Sequence, residues 1–380
     1  MDDGELTPIL EAVRRLVRER VVPLEASIDE TDQVPDELRR EAADMGLFGF
    51  AIPEEYGGLG LTMSQEARLV MELGWTTPAF RSLFGTNNGI AGHTILEGGT
   101  EPQKREWLPR IASGEWTASF ALTEAEAGSD PAGLRTTARR EGDSYVINGA
   151  KRYITNAPSA DVFMVFARHD DAETRDISAF LVPRNGAGLQ VGPKDKKMGQ
   201  HGAWTAEVHL DDVAVPTSAL IGAEGEGYRT AMRCLAHGRL HIAALCVGLA
   251  ERLVDETVAY ALERKQSGQP IAEFQLVQGL IADSQTDAYA GRATVLAAAA
   301  AYDARTDVRM APSCAKYFAS EMVGRVADRA VQVHGGAGYM QGVAVERFYR
   351  DARLFRIYEG TSQVQQVVIA REALKRKRAG

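Results

Sequence analysis

The sequence has little cysteine, which limits how the fold can be stabilised. Its 380 residues include only Cys234, Cys246 and Cys314. These three are odd in number, lie in apolar stretches of helical character and lack the paired spacing of metal ligands. A disulfide framework is therefore excluded as the basis of the fold. We expect buried free thiols and a reducing, cytoplasmic compartment.

An excess of positive charge and a long apolar run are also missing. The chain has 43 Lys and Arg residues against 52 Asp and Glu residues, a formal net charge of -9. A negatively charged protein has no general affinity for the phosphates of nucleic acids. No apolar run approaches the roughly 20 residues that span a bilayer, and residues 1–5 are acidic where a targeting presequence is basic. We predict that neither nucleic acid nor a membrane is a partner.

Hydrophobic periodicity divides the chain into three parts. Residues 1–116 show the helical period, with capping-box sequences that begin at Thr62 and Thr100. Residues 117–224 are rich in alternation, β-branched residues and turns, and residues 225–380 return to longer helical segments. We predict a multidomain α+β protein with an N-terminal helical domain, a central antiparallel β-barrel-like domain and a C-terminal four-helix bundle.

The central part contains one strong turn signal, Asn148-Gly149. The pair lies inside an alternating stretch, residues 145–155, and Asn-Gly is the preferred sequence of a two-residue hairpin turn. We therefore predict a hairpin with its tip at these two residues. Because the connections between strands are too short for helical crossovers, we expect antiparallel pairing throughout. Further strands are predicted over residues 161–167, 177–182 and 206–210.

The last predicted helix begins beside a single acidic residue. Ser362 and Gln365 have the spacing of a capping box, and an apolar run follows them. Glu359 would then lie in the loop before a helix N-terminus, and Gly360 would let another molecule come close. Taken alone, this segment fits a solvated acid better than a catalytic base. The other predicted bundle helices cover residues 240–265, 274–304 and 312–334.

Three separated segments resemble the signatures of the acyl-CoA dehydrogenase family. They are FALTEAEAGSDPAG at residues 120–133, QVHGGAGY at residues 332–339 with Arg347 and Asp351 beyond it, and YEGTSQ at residues 358–363. The similarity extends over nearly the whole chain, because IPEEYGG at residues 52–58 also fits the family. On this resemblance the chain is identified as a member of the family.

The resemblance implies an FAD cofactor in a cleft between the β domain and the bundle. Tyr153 stands where the family usually has tryptophan, so we expect it to stack on the flavin while Thr155 hydrogen-bonds to it. Ser129 is also expected near the CoA part of the substrate. The implied contacts on this side of the cofactor are Phe120, Leu122, Thr123, Gly128, Ser129, Tyr153, Ile154, Thr155, Thr361 and Gln363.

A second set of residues is implied to reach an FAD that is bound mainly by a neighbouring subunit. Arg264 belongs to this set, and a guanidinium fork matches two oxygens of a pyrophosphate. The arrangement requires at least a dimer, and the family is commonly a dimer of dimers. The other members of the set are Gln266, Phe274, Gln275, Gln332, Gly335 and Gly336.

Glu359 matches the catalytic glutamate of the family. The resemblance implies that it removes a proton from the α carbon of an acyl-CoA, that flavin N5 accepts the β hydride, and that an electron-transfer flavoprotein receives the electrons. The product would be trans-2-enoyl-CoA. Some relatives place the base directly before Arg239, but Gly238 stands there in this chain, which favours Glu359. The implied substrate-side residues are Ser129, Arg239, Tyr358 and Gly360.

The same residues leave other interpretations open. An oxidase would pass its electrons to oxygen, and a non-catalytic flavoprotein relative would bind DNA or a protein partner. Gly336 and Gly338 suggest a nicotinamide site, but a helix rather than a strand is predicted before them. His237 and His241 have the i, i+4 spacing of metal ligands, yet no third ligand accompanies them in the sequence. We therefore predict no metal.

Overall fold

The structure, a computed structural model that describes residues 3–169 and 176–379, begins with short helices as predicted. Both predicted capping boxes form: the Thr62 hydroxyl accepts from the Gln65 backbone while the Gln65 side chain accepts from the Thr62 N–H, and Thr100 and Gln103 do the same. The helices are α1 (Asp3–Arg15), α2 (Glu25–Thr31), α3 (Asp36–Asp44), α4 (Met63–Leu73), α5 (Pro78–Gly89), α6 (Ala91–Gly98) and α7 (Glu101–Ala112).

The central part is a mixed β-sheet. Its strands are β1 (Ala118–Ala121), β2 (Thr137–Glu141), β3 (Ser144–Thr155), β4 (Val162–His169), β5 (Ile177–Pro183), β6 (Leu189–Val191), β7 (Thr205–Pro216) and β8 (Leu220–Ile221). They follow the order β6-β7-β3-β2-β4-β5-β8, and β1 pairs with β4 from outside this path. The prediction of antiparallel pairing throughout is wrong, because β4 is parallel to both β1 and β2. The chain makes these parallel connections through other strands of the sheet, so it needs no helical crossover.

The predicted hairpin at Asn148-Gly149 is also wrong. These residues lie inside β3, where the register against β7 shifts between Ile147 and Gly149. Gly149 has φ 152°, and a Cβ there would lie 2.5 Å from the Thr136 hydroxyl oxygen, so glycine serves a bulge and a close backbone approach. The true turn joins β2 to β3 across residues 142–143, with Gly142 at φ 60°.

The C-terminal part is a bundle of long helices, close to the predicted bounds except that the first begins at Gly227 rather than at residue 240. A further short helix, which the periodicity did not predict, separates the last two of them. The helices are α8 (Gly227–Glu263), α9 (Gln275–Asp303), α10 (Met310–His334), α11 (Ala344–Ala352) and α12 (Ser362–Ala379), and a small two-stranded ribbon, β9 (Lys265–Gln266) with β10 (Gln269–Pro270), follows α8. None of the described helices is long and apolar enough to cross a membrane.

Helix α8 passes from one hydrophobic core to another. Near its start, Ala231 and Cys234 pack in the core beneath the sheet. From Leu240 onward it packs in the core shared by the N-terminal helices and the bundle. The change of partner falls at Gly238 and Arg239, which therefore lie where the three parts of the chain meet. The cysteines are free as expected, with Cys234 and Cys246 buried and Cys314 partly exposed.

Candidate active site

Glu359 lies in a tight turn just before α12. Glu359 and Gly360 both have left-handed backbone conformations, with φ 56° and φ 86°, and a non-glycine residue adopts this conformation at a cost of about 1–3 kcal/mol. The turn is fixed from two sides. The Gln365 amide donates to the carbonyl oxygens of Glu359 and Gly360 at 3.0 and 3.1 Å, and the Lys316 ammonium donates to the Gly360 carbonyl at 2.7 Å. These contacts determine the direction of the Glu359 side chain.

The predicted capping box at Ser362 does not form. Ser362 is already the first residue of α12, and its hydroxyl donates to the Glu321 carboxylate at 2.5 Å. Thr361 caps the helix instead, because its hydroxyl oxygen accepts the Val364 N–H at 3.2 Å. Gln365, predicted to reach back to a cap, holds the Glu359 turn. The predicted capping box fails because Glu321, which is distant in sequence, binds the Ser362 hydroxyl.

The Glu359 carboxylate lies deep in the protein, and one of its oxygens accepts no hydrogen bond. Its Oε2 is buried and has no hydrogen-bond partner. Burial raises the pKa of Glu359, and the positive charges of Arg81, Arg239 and Lys316 oppose that rise. A buried carboxyl with a raised pKa and a free oxygen is suited to accept a proton from a bound molecule.

Gly238 on α8 leaves the space in which this carboxylate lies. A Cβ at position 238 would be 3.0 Å from Glu359 Oε2 and 2.9 Å from a side-chain carbon of Ile90. The adjacent Arg239 is buried, and its guanidinium donates to the Ser313 hydroxyl at 3.3 Å. The absence of a side chain at position 238 thus makes room for the Glu359 carboxylate.

The first strand and the end of β3 lie side by side. Arg152 donates its N–H to the Thr123 carbonyl at 2.9 Å, and the Ser119 hydroxyl donates to the Thr155 carbonyl at 2.7 Å. Tyr153 has φ 57° and is 60% exposed. The structure therefore brings together the predicted contacts from β1, the loop after it and β3.

This surface fits the FAD that the resemblance implies. Tyr153 offers an accessible aromatic ring, and Ser129 and Thr155 retain accessible surface. A Cβ at Gly128 would meet nothing within 4 Å, so the loop has open space in front of it. Phe120, Leu122 and Ile154 are buried and support the surface from behind. The contact of each of these residues with FAD stays a prediction.

The second predicted set gathers elsewhere, at the far end of the bundle. The Ile271 N–H donates to the Arg264 carbonyl at 2.7 Å, which closes the ribbon after α8. Tyr260 stacks on His334 at 4.1 Å between ring centroids, and this joins the ends of α8 and α10. Phe274 packs against the small core formed there. The exposed members of this set are Arg264, Gln266, Gln275, Gln332, Gly335 and Gly336.

A buried ion pair that sequence reasoning missed supports the loop after β1. The Lys151 ammonium lies 2.7 Å from the Glu124 carboxylate and 3.3 Å from the Leu122 carbonyl. Glu124 also accepts from the Arg135 N–H and from the N–H and hydroxyl of Thr136. The only signal in the sequence was an acidic residue inside the first signature. Its partner comes from a different strand, so local patterns could not reveal the pair.

His237 and His241 have a third partner after all, Glu66 on α4. Their Nε2 atoms lie 3.0 and 2.5 Å from Glu66 Oε2. However, Arg81 donates to His241 Nδ1 at 3.0 Å, so the proton of neutral His241 lies on Nε2 and points at Glu66. A metal would need the lone pair of that nitrogen. The contacts therefore fit a hydrogen-bonded chain, and the absence of a metal stays a prediction.

The fold and site together define a flavin-dependent oxidoreductase. The chain matches the models of the acyl-CoA dehydrogenase N-terminal domain over residues 4–115, the middle domain over residues 119–213 and the C-terminal domain over residues 225–374. The chain therefore belongs to the acyl-CoA dehydrogenase family, and its cofactor is FAD.

Individual relatives extend this similarity over almost the full length. A probable acyl-CoA dehydrogenase YngJ of Bacillus subtilis is 40% identical, covering 98% of this chain and 99% of its own. The caffeyl-CoA reductase-Etf complex subunit CarC of Acetobacterium woodii is 39% identical, covering 92% of each. The solved acyl-CoA dehydrogenase of Bacillus anthracis complexed with FAD has a TM-score of 0.94 at 33% identity, covering 100% of this chain and 68% of that one.

Proposed function

We propose that this acyl-CoA dehydrogenase oxidises a saturated acyl-CoA to trans-2-enoyl-CoA with Glu359 as the base. The single observation that supports this proposal most is the buried, unpartnered Oε2 of Glu359 in a turn held by Gln365 and Lys316. FAD supplies the hydride-accepting N5 when it is bound. Anaerobic bleaching of the bound flavin by a series of acyl-CoAs tests the reaction.

The Glu359 turn also offers a hydrogen-bond donor to the thioester carbonyl of the substrate. Removal of an α proton places negative charge on that oxygen, and a preorganised N–H donor stabilises the charge. The backbone N–H of Glu359 has no hydrogen-bond partner among the described residues, so it is available as this donor. One residue then supplies both the base and a carbonyl contact, which fixes their relative positions.

The raised pKa of Glu359 gives the reaction a pH dependence. Burial raises the pKa of Glu359 above its ordinary value, and a base must be ionised to accept a proton. We expect the rate constant of flavin reduction at saturating substrate to increase with pH through that raised pKa. Stopped-flow reduction over a pH series measures it. A rate already at its plateau around the ordinary glutamate pKa of about 4.3 would contradict the expectation.

Replacing Gly238 by alanine is expected to slow flavin reduction about 10- to 100-fold, because small displacements of a reacting group have effects of this size. The added Cβ would lie 3.0 Å from Glu359 Oε2, tighter than ordinary contact, and would push the carboxylate from its position. Gly279→Ala on α9 is the matched control, since a Cβ there meets nothing within 4 Å. Equal rates for the two variants would show that the space at Gly238 does not position Glu359.

We also propose an electron-transfer flavoprotein as the electron acceptor. The supporting observation is that a relative covering 92% of this chain is named as a subunit of an Etf complex. An oxidase is the alternative, and reoxidation of the substrate-reduced enzyme separates the two. Slow reoxidation in air and fast reoxidation by electron-transfer flavoprotein support the dehydrogenase.

For the second set of predicted cofactor contacts we propose a role across a subunit interface. Arg264 and Gln332 are exposed at the end of the bundle, away from the Glu359 turn. A dimer, or a dimer of dimers, would place them against the FAD of a neighbouring subunit. Sedimentation of the FAD-bound protein tests this, and a monomer that retains FAD would contradict it.

A further inference from the structure

Arg81 lies along a groove on its own helix. A Cβ at Gly85, one turn later on α5, would lie 2.5 Å from Arg81 Nη1, and a Cβ at Gly89, two turns later, would lie 3.6 Å from Nη2. The guanidinium thus occupies space that two glycines leave free. Spacing of i+4 and i+8 places all three residues on one helix face, so this groove is a local consequence of the sequence.

A chain of hydrogen bonds holds the guanidinium from behind. Arg81 Nη2 donates to His241 Nδ1 at 3.0 Å, and His241 Nε2 donates to Glu66 Oε2 at 2.5 Å. His237 Nε2 reaches the same Glu66 oxygen at 3.0 Å. Because arginine only donates, the tautomer of His241 is fixed, and with it the order of donors and acceptors. Glu66 and His241 are therefore built to position Arg81.

The charge of Arg81 is left without a direct counterion. No carboxylate of the described residues forms an ion pair with it, and its Nε is buried without a hydrogen-bond partner. Burial raises the pKa of both Glu66 and Glu359, which favours their neutral forms. Burial also lowers the pKa of Arg81, but an arginine stays charged at neutral pH. A buried unpaired cation is costly, and a bound anion removes that cost.

Arg81 is also the most accessible of the three cations that surround Glu359. Arg239 and Lys316 are buried, with hydrogen bonds to the Ser313 hydroxyl and the Gly360 carbonyl, and the Arg239 Nε has no partner, like that of Arg81. Arg81 retains accessible surface although its guanidinium lies deep in the protein. Arg81 is close enough to Glu359 and Tyr358 to interact electrostatically with both, so it lies near the proposed base.

We propose that Arg81 is a specificity-determining residue that binds a carboxylate at the far end of the acyl group, with Glu66 and His241 as positioning residues. This inference rests on the proposed function, because it names the substrate class of the same site. A planar guanidinium matches a carboxylate by paired hydrogen bonds. The preferred substrate is then a CoA monothioester of a dicarboxylic acid.

Matched substrates test this with the FAD-bound enzyme. Adipyl-CoA and hexanoyl-CoA differ in the terminal carboxylate, as do glutaryl-CoA and pentanoyl-CoA. We expect the second-order rate constant of flavin reduction to favour the carboxylated member of a pair by about 100-fold, the effect of losing a hydrogen-bonded charged partner. A preference for the uncharged members would overturn the inference while leaving the dehydrogenase function intact. Failure of every acyl-CoA to bleach the flavin would instead overturn the proposed function.

Variants separate substrate binding from a merely electrostatic effect on Glu359. Arg81→Gln should abolish the preference for adipyl-CoA over hexanoyl-CoA, and Arg81→Lys should restore part of it. If Arg81 acts only on the pKa of Glu359, Arg81→Gln will lower the rates for both substrates equally and shift the pH profile, which would overturn the proposal.

Two further variants keep the test informative if Arg81→Gln does not fold. Gly85→Ala retains the charge but displaces the guanidinium, and it should weaken adipyl-CoA binding more than hexanoyl-CoA binding. Glu66→Gln should raise the KM for adipyl-CoA more than it lowers kcat, because it loosens the support of Arg81. Binding of the corresponding 2-enoyl-CoAs, followed by the flavin spectrum, gives the same comparison without turnover. Equal effects on charged and uncharged ligands in these variants would count against the proposal.

Discussion

Glu359→Gln is expected to bind FAD normally and to lose flavin reduction by acyl-CoA about 100- to 10,000-fold, the usual contribution of a positioned general base. The amide keeps the shape of the carboxyl but cannot accept the α proton. The backbone of the turn is held by Gln365 and Lys316 through carbonyl oxygens, so the substitution leaves these contacts in place. The loss should therefore appear in the reduction rate and not in cofactor content.

Stopped-flow absorbance under anaerobic conditions measures this rate, and the ratio of flavin to protein absorbance measures the bound cofactor. Glu19→Gln, at an exposed position near the N-terminus, controls for the loss of a carboxylate as such. Reduction of the Glu359 variant at the wild-type rate would remove Glu359 from the mechanism. Loss of FAD together with activity would show that the turn is structural rather than catalytic.

The family, the helices and the position of Glu359 were predictable because they depend on local sequence. Helical periodicity gave α8, α9, α10 and α12 within a few residues of their ends except at the start of α8, and the three signatures gave the cofactor. The prediction of a hairpin turn at Asn148-Gly149 failed because of pairing with strands distant in sequence. Ile147 pairs with β2 on one side and β7 on the other, so β3 must continue through the turn signal.

Most of the environment of Glu359 could not be predicted, because its parts come from four helices, three of them distant in sequence. Arg81 lies on α5, Gly238 on α8, Lys316 on α10 and Gln365 on α12. Gly238 and Gln365 had been singled out in the sequence for other reasons, whereas Arg81 and Lys316 looked like ordinary residues of their helices. Packing of the helices brings the four residues together around one carboxylate, in a buried and positively charged environment.

Two residues of the second signature act between domains. Arg347 donates to Glu25 of α2 at 2.7 Å, and the buried Asp351 accepts the backbone N–H of Gln200. Gln200 in turn donates to the Asp351 carbonyl at 3.1 Å. These contacts join α11 to the N-terminal helices and to the loop before β7. This part of the signature therefore supports the meeting point of the three parts on which the site depends.

Lys151→Ala is expected to lower the free energy of unfolding by about 3–5 kcal/mol, the usual cost of removing one partner of a buried ion pair. Lys151 is fully buried, and the Glu124 carboxylate would remain buried without its counterion. Burial alone would raise the pKa of Glu124, but Lys151 and the hydrogen bonds from Thr136 and Arg135 outweigh it and lower that pKa. The native structure thus holds Glu124 charged, and the variant must bury that charge alone.

Urea denaturation of the FAD-bound protein measures the change, with Arg135→Ala as the matched control. Arg135 and Glu126 form an ion pair in the same loop at 2.7 Å, but their side chains are 78% and 69% exposed, and an exposed pair contributes at most about 1 kcal/mol. Adding Glu124→Gln to Lys151→Ala should recover part of the lost stability, because the unpaired charge is then removed. If Lys151→Ala is no more damaging than Arg135→Ala, the buried pair does not hold the loop after β1.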